Sequence, residues 1–464
     1  MAGRQTSRRT HGLLSAMLAA ALVLSGESFL PASPASAAPD RGSAASGRLA
    51  AAFDTAARRY DVPRDLLLAL GYAETRLDGH DGRPSAVGGY GLMHLVSNPS
   101  LRTLDEAARL TRLHRDTLRT DPTANVAGAA AVLRSYADQA GLTAVERQDV
   151  NTWYGSVARY GGASTPALAR LYADAVYDLL ATGFETGQPD ALTVPGRPVA
   201  PQRGVLARAT DGFGTLSTDY GPAAWAPASA SNYTVASRPG SHPVRYVVIH
   251  VTQGSYAGSI SWFQNPAARA SAHYTFRSSD GAVTQSVREK DIAWHAGNWT
   301  YNTQSIGIEH EGYVDNPAWF TDAMYRASAA LTRNLANKYG IPKDRAHIIG
   351  HNEVPGATHT DPGPHWNWTY YMELVNGKTG IGSGTIGTGG ANLNVRSGPG
   401  VGYGIVGSVA DGTTVSIYCQ AVGTTVTGTY GTTNVWNRIG TNRYVSDAYV
   451  LTGHDGFIPN VPRC

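Results

Sequence analysis

The chain has 464 residues with a formal net charge of +3, 16% charged residues, 53 glycines and 25 prolines. That length exceeds one ordinary hydrophobic core and predicts several domains. So small a net charge excludes the basic field that binding to a phosphate backbone requires, and nucleic acid is not expected as a partner.

In chain order, the first element reads as an export signal. Arg4, Arg8 and Arg9 precede an apolar run from Leu13 to Leu24, and small residues follow, with Ala35 and Ala37 at the spacing of a cleavage site. The run is too short to span a bilayer, and no second hydrophobic span follows it. Residues 1–37 are therefore read as a cleaved signal peptide, with the Arg8-Arg9 pair leaving a twin-arginine route open, and the remainder as a secreted chain without membrane association. Residues 47–186 read as a helical domain: "RDLLLALGYAETR" follows Pro63, and "DPTANVAGAAAVLRSYADQAG" and "TPALARLYADAVYDLLATG" each open on a proline and close on glycine. Residues 187–242 are rich in Pro, Gly, Ala and Ser and read as linker and lead-in. The next domain, 243–376, opens on "VRYVVIHV", a continuous apolar run of the kind a buried central strand shows. A Gly/Thr linker, 377–388, precedes short alternating runs over 389–464, broken by Gly-rich turns such as Asp411-Gly412, which predict a small β-barrel. In an exported chain the two cysteines, Cys419 and Cys464, are expected to form a disulfide.

The chemistry concentrates in the middle domain, where nine of the fourteen histidines fall between His242 and His365. His250 ends one apolar run and His351 follows another, "AHIIG", so each imidazole stands at a strand end, at the mouth of a cleft. His273 and His295 lie beside aromatic residues. A catalytic zinc takes three protein ligands from His and Asp or Glu and keeps one position open. In "ATHTDPG" the proline biases Asp361 to an extended conformation, which points His359 and Asp361 to the same side of the chain. The ligand set read from these residues is His250, His351 and Asp361 with His359 as a neighbour; His359 in place of Asp361 is the alternative. In "QSIGIEHEGY", Ile306 and Ile308 alternate with Glu309 and Glu311, as a half-buried strand requires. One carboxylate can then move protons for an attacking water. Glu309 is the choice because it sits further inside the strand, while Glu311 reads equally well as solvated.

Taken together and in order, "YVVIHVTQG", "SAHYTF", "AWHAG", "SIGIEHEG" and "GHNEVPGATHTDPGPHWNW" resemble the zinc-dependent N-acetylmuramoyl-L-alanine amidases of the type-2 amidase and peptidoglycan-recognition fold, over Pro243 to Val375. The resemblance implies an α/β domain with a mixed central sheet and one zinc ion per domain, held by His250, His351 and Asp361. It implies Glu309 as proton shuttle, and His359 as oxyanion stabiliser where many members place a lysine. The implied reaction cleaves the amide between N-acetylmuramic acid and the L-alanine of the peptidoglycan stem. Trp294, Trp299, Trp366 and Trp368 are candidates to flank the groove, with at least half of them expected in packing. Over Ala50 to Gly183 the chain resembles goose-type lysozymes and lytic transglycosylases, which implies Glu74 as a glycan general acid. Gly91-Leu92-Met93-His94 and Trp153-Tyr154 depart from that family's pattern, so a module that only binds glycan is the other reading. Gly389 to Cys464 resembles bacterial Src-homology-3-like wall-binding domains. The expected whole is a multidomain protein at the cell wall: all-α, then α/β, then an all-β barrel. An amidase is the leading function, with glycan cleavage or non-catalytic peptidoglycan recognition as alternatives.

Overall fold

Local chemistry sets the helix starts in the first part of the chain. Asp121 accepts a hydrogen bond from the Ala124 amide at 2.7 Å, and Pro122 opens the helix Pro122–Gln139. Thr165 and Pro166 do the same for the helix Pro166–Thr182. Each cap satisfies an amide that the first turn leaves without a partner. With Arg41–Tyr60, Arg64–Thr75 and Thr103–Thr111 these helices enclose one core of Phe53, Leu66, Leu70, Val126, Leu133, Trp153 and Leu180. Two short hairpins, Gly89–Tyr90 with Leu95–Val96 and Gly183–Glu185 with Thr193–Pro195, accompany the helices. The structure is a computed structural model that describes residues 41–186, 192–209 and 215–464, within one compact unit, Arg41–Cys464. The expected signal peptide and part of the expected linker lie outside the described residues.

A six-stranded mixed sheet organises the α/β part. Its order is Ile348–Gly350, Tyr246–Val251, Ser305–His310, Tyr274–Phe276, Val283–Gln285 and Ala224–Trp225. The first four strands run parallel, so their C-terminal ends share one edge, where open α/β sheets place their ligands. Register does the rest: Glu309 pairs with His250 across neighbouring strands, and Gly350 pairs with Ile249, which leaves His351 beside His250. Below the sheet, the helix Asp322–Tyr339 buries Leu331 and Leu335 against Val247, Ile249, Ile306 and Ile308.

Two stretches expected as linkers are built into sheets instead. Within 187–242, Ala224–Trp225 supplies the sheet's edge strand and Tyr233–Thr234 pairs with Ile292–Ala293. Arg238 is buried there, donating to the carbonyls of Ser305 at 2.7 Å and Glu289 at 2.8 Å. Strands of two residues are too short to show alternation, which is why composition hides them. Within 377–388, Gly382–Ile386 pairs with both Thr414–Ile417 and Val450–Leu451. A Cβ at Gly384 would lie 2.5 Å from Val450 Cγ1, so its glycine serves close packing rather than flexibility.

The C-terminal residues form a three-stranded and a five-stranded sheet around Ile386, Val395, Ile417, Val445 and Val450. Cys419 and Cys464 are joined as a disulfide, with Cys419 buried against the α/β core. Among the described residues, no helix is long and apolar enough to cross a membrane.

Candidate metal centre and active site

The strand ends bring His250, His351 and Asp361 together. The Nδ1 of His250 lies 3.2 Å from one oxygen of Asp361, and the Nδ1 of His351 lies 3.1 Å from the other. All three offer ligand atoms within 4.8 Å of one another, and all three are buried. Two imidazoles and one carboxylate in this spacing fit a zinc-like divalent ion with a fourth position open to solvent. Electrostatics agree with that use. Burial lowers the pKa of His250 to about 4, against the opposing pull of Asp361, so the ring is neutral and able to ligate near neutral pH. Burial also pushes the Asp361 carboxyl up, but hydrogen bonds from His250 and His351 outweigh it and hold the group below the usual carboxylate range.

The neighbours divide by what they contact. The Nε2 of His250 is 2.9 Å from Nδ1 of His295, whose Nε2 in turn lies 3.1 Å from the Ser305 hydroxyl. Such a chain fixes the ring that faces an ion. In the sequence, His295 carries no signal for this part beyond its place in "AWHAG". His273 turns instead to the buried Arg238, at 2.6 Å, and to the Gly307 amide, at 3.0 Å. Glu309 stands on the strand beside His250 and has one buried carboxylate oxygen without a hydrogen-bond partner among the described residues. Burial first, and the charge of Asp361 second, push its pKa well above that of an ordinary glutamate. Glu311 is different: its oxygens accept from the amides of Tyr256 at 2.9 Å and Ser278 at 2.8 Å. It is buried rather than solvated, and it is held at the start of the helix Tyr256–Gln264.

His359 is exposed and stacks on His351 with ring centroids 4.8 Å apart. It does not join the three-residue cluster, in which Asp361 stands. The cluster, Glu309 and His359 all line a cleft of about 880 Å³. Trp294 and Trp299 line it too, whereas Trp366 is buried among His310, Phe320 and Tyr325, and Trp368 packs under Arg345. Glu74 lies elsewhere, in a second cleft of about 350 Å³. It is buried, accepts from the Tyr172 hydroxyl and has His94 Nδ1 at 3.2 Å; His94 continues to the Ser85 hydroxyl at 2.8 Å.

The family model of N-acetylmuramoyl-L-alanine amidases matches residues 240–364. N-acetylmuramoyl-L-alanine amidase A of Achromobacter lyticus is 42% identical over 181 residues, which cover 35% of this chain and 99% of that protein. The 1,6-anhydro-N-acetylmuramyl-L-alanine amidase AmpD of Escherichia coli is 40% identical over 117 residues, 24% of this chain and 61% of its own length. Among solved structures, that of Citrobacter freundii AmpD matches with 26% identity over 35% of this chain and 95% of its own, at a TM-score of 0.26. The chain belongs to the N-acetylmuramoyl-L-alanine amidase family, the type-2 amidases.

Proposed function

We propose that the protein is an exported peptidoglycan hydrolase that cleaves the amide between the lactyl group of N-acetylmuramic acid and L-alanine, with one zinc ion held by His250, His351 and Asp361. The observation that carries this reading is the buried cluster of three ligand-grade side chains at the strand ends, beside a carboxylate oxygen of Glu309 that has no partner among the described residues. The ion supplies, when bound, a Lewis acid for the carbonyl and a means of ionising water near neutral pH. Glu309 takes the proton of the attacking water and delivers it to the departing alanine nitrogen, a task suited to a carboxyl with a raised pKa. His359, at the rim, donates a hydrogen bond to the oxyanion. The Leu13–Leu24 run and the Cys419–Cys464 bond support export, and the resemblance over 389–464 supports a wall-binding role that raises the local concentration of substrate bonds.

Digestion of purified cell wall tests the reading. New alanine amino termini, lost with a chelator and restored by zinc, are expected; full activity in His351→Ala would refute it. Glu74 supports a second reading, glycan-strand cleavage, because it is buried at the wall of its own cleft between Tyr172 and His94. New reducing or anhydro sugar ends that disappear in Glu74→Gln are the result that reading requires. A wall-recognition protein without chemistry would yield neither product.

A further inference from the structure

The two clefts share a wall. The helix Tyr256–Gln264 turns Ser259 and Phe263 to the amidase cleft and Gly258 and Ser261 to the cleft of Glu74, which Ser255, just before the helix, also lines. Helical spacing explains the division, since Ser259 and Phe263 are four apart and Gly258 and Ser261 three apart, spacings that share a face, whereas Ser259 and Ser261, two apart, do not. Trp262, half-buried, lines both clefts, and so does Val87 from the helical part of the chain. The walls are tied together: the Ala86 amide donates to the Gln253 carbonyl at 3.2 Å, the Ser164 amide to the Ser261 hydroxyl at 3.1 Å, and the Ser164 hydroxyl to Gln264 at 2.7 Å.

The chemistry of the second cleft selects a class of ligand. Asn98, Ser100, Ser164, Ser261, Gln264 and Asn265 contribute neutral hydroxyl and carboxamide groups, and the described lining has no lysine or arginine. Neutral donors and acceptors beside an aromatic face suit sugar hydroxyls and acetamido groups; a highly charged ligand would call for opposite charge. We propose that the two clefts form one continuous set of subsites for a peptidoglycan glycan strand. The lactyl amide of one muramic residue sits at His250, His351 and Asp361, while further sugars of the same strand pass Trp262 and Val87 towards Glu74. This rests on the amidase reading and extends it: the preferred substrate is a polymeric strand rather than a single peptide-bearing disaccharide, and the helical part supplies binding whether or not Glu74 cleaves.

Calorimetric binding to the full chain carrying Glu309→Gln tests this, with peptide-bearing disaccharide and octasaccharide fragments as probes. The octasaccharide is expected to bind about tenfold tighter or better, the gain that linked subsites provide. Trp262→Ala, and Ser100→Trp at the exposed rim of the second cleft, should bring the two affinities within about twofold of each other, while Trp262→Phe keeps the preference. Equal affinities in the Glu309→Gln chain, or a length preference that survives Ser100→Trp, overturns the proposal. Because Ser100 is exposed, that variant decides the matter even if Trp262→Ala fails to fold. Failure of the amidase reading is separate: it shows as no new alanine amino termini from the unmodified chain, whatever the length preference.

Discussion

Glu309→Gln keeps the shape of the strand end and removes the carboxylate proposed to accept a proton. Amide hydrolysis is expected to fall by about 10²–10⁴, while zinc content, measured by elemental analysis, stays at that of the parent, because the proposed ligand set does not include Glu309. An equal fall in both would place Glu309 among the ligands instead. His295→Ala tests the orienting chain from the other side. With the 2.9 Å contact to His250 gone, zinc affinity measured by chelator competition should weaken by about 10–100-fold. An unchanged affinity would reduce His295 to packing. The difference between Glu309 and Glu311 shows how far single residues could be read from the chain. Alternation placed both on one side of a strand, but only the amides of Tyr256 and Ser278, donated by distant segments, make Glu311 structural and leave Glu309 available.

The parallel sheet buries imidazoles as well as aliphatic side chains, and that has a consequence for stability. Burial lowers His250 to about 4 and His310 to about 3, and lowers His273 and His295 well below the ordinary value. His310 bonds the His250 carbonyl at 2.8 Å and the Ser328 hydroxyl at 2.6 Å, with the rings of Phe276 and Trp366 beside it, so burial outweighs the opposing pull of the His250 carbonyl. In the unfolded chain each histidine takes up a proton below about pH 6.5, whereas the folded chain does not until much lower pH. The folded state is therefore fully favoured above that pH and loses ground as pH falls, by up to about 1.4 kcal/mol per pH unit for each group. Urea midpoints of the metal-free chain should be lower at about pH 5 than near neutrality, and less so in His310→Gln. A midpoint that rises on acidification would refute the neutral burial of these rings. The sheets also show where local pattern fails: Gly382–Ile386 reads as linker because its glycines carry no periodic signal, yet they are there to let Val450 and Ile458 approach.

Asp322 joins the C-terminal sheets to the α/β part. Arg438, buried, meets its carboxylate at 3.0 Å, Tyr370 donates a hydroxyl to it, and Arg326 pairs with it at 2.7 Å while donating to the carbonyls of Thr379 and Tyr418. Removing the carboxylate leaves Arg438 as a buried, unpaired charge. Asp322→Ala is expected to lower the unfolding free energy by about 3–5 kcal/mol and to expose the segment near residue 380 to protease, both measurable on the purified chain. A stability loss within about 0.5 kcal/mol would mean the parts are held by their apolar contacts alone.

The local character of the chain, its helical first half, buried parallel strands and β-rich end, is written in short-range patterns of apolar spacing, caps and turns, which are properties of neighbours along the backbone. The strand ends at His250 and His351 and the proline-stiffened loop leave a mark in adjacent residues, which names the candidates His250, His351 and either Asp361 or His359; that the first three cluster is a matter of the fold. Which of two glutamates keeps an oxygen without a partner among the described residues, that His295 meets His250, and that Trp262 and Val87 line two clefts depend on contacts between segments far apart in sequence. Those contacts follow from register and packing, and no periodicity in the chain encodes them.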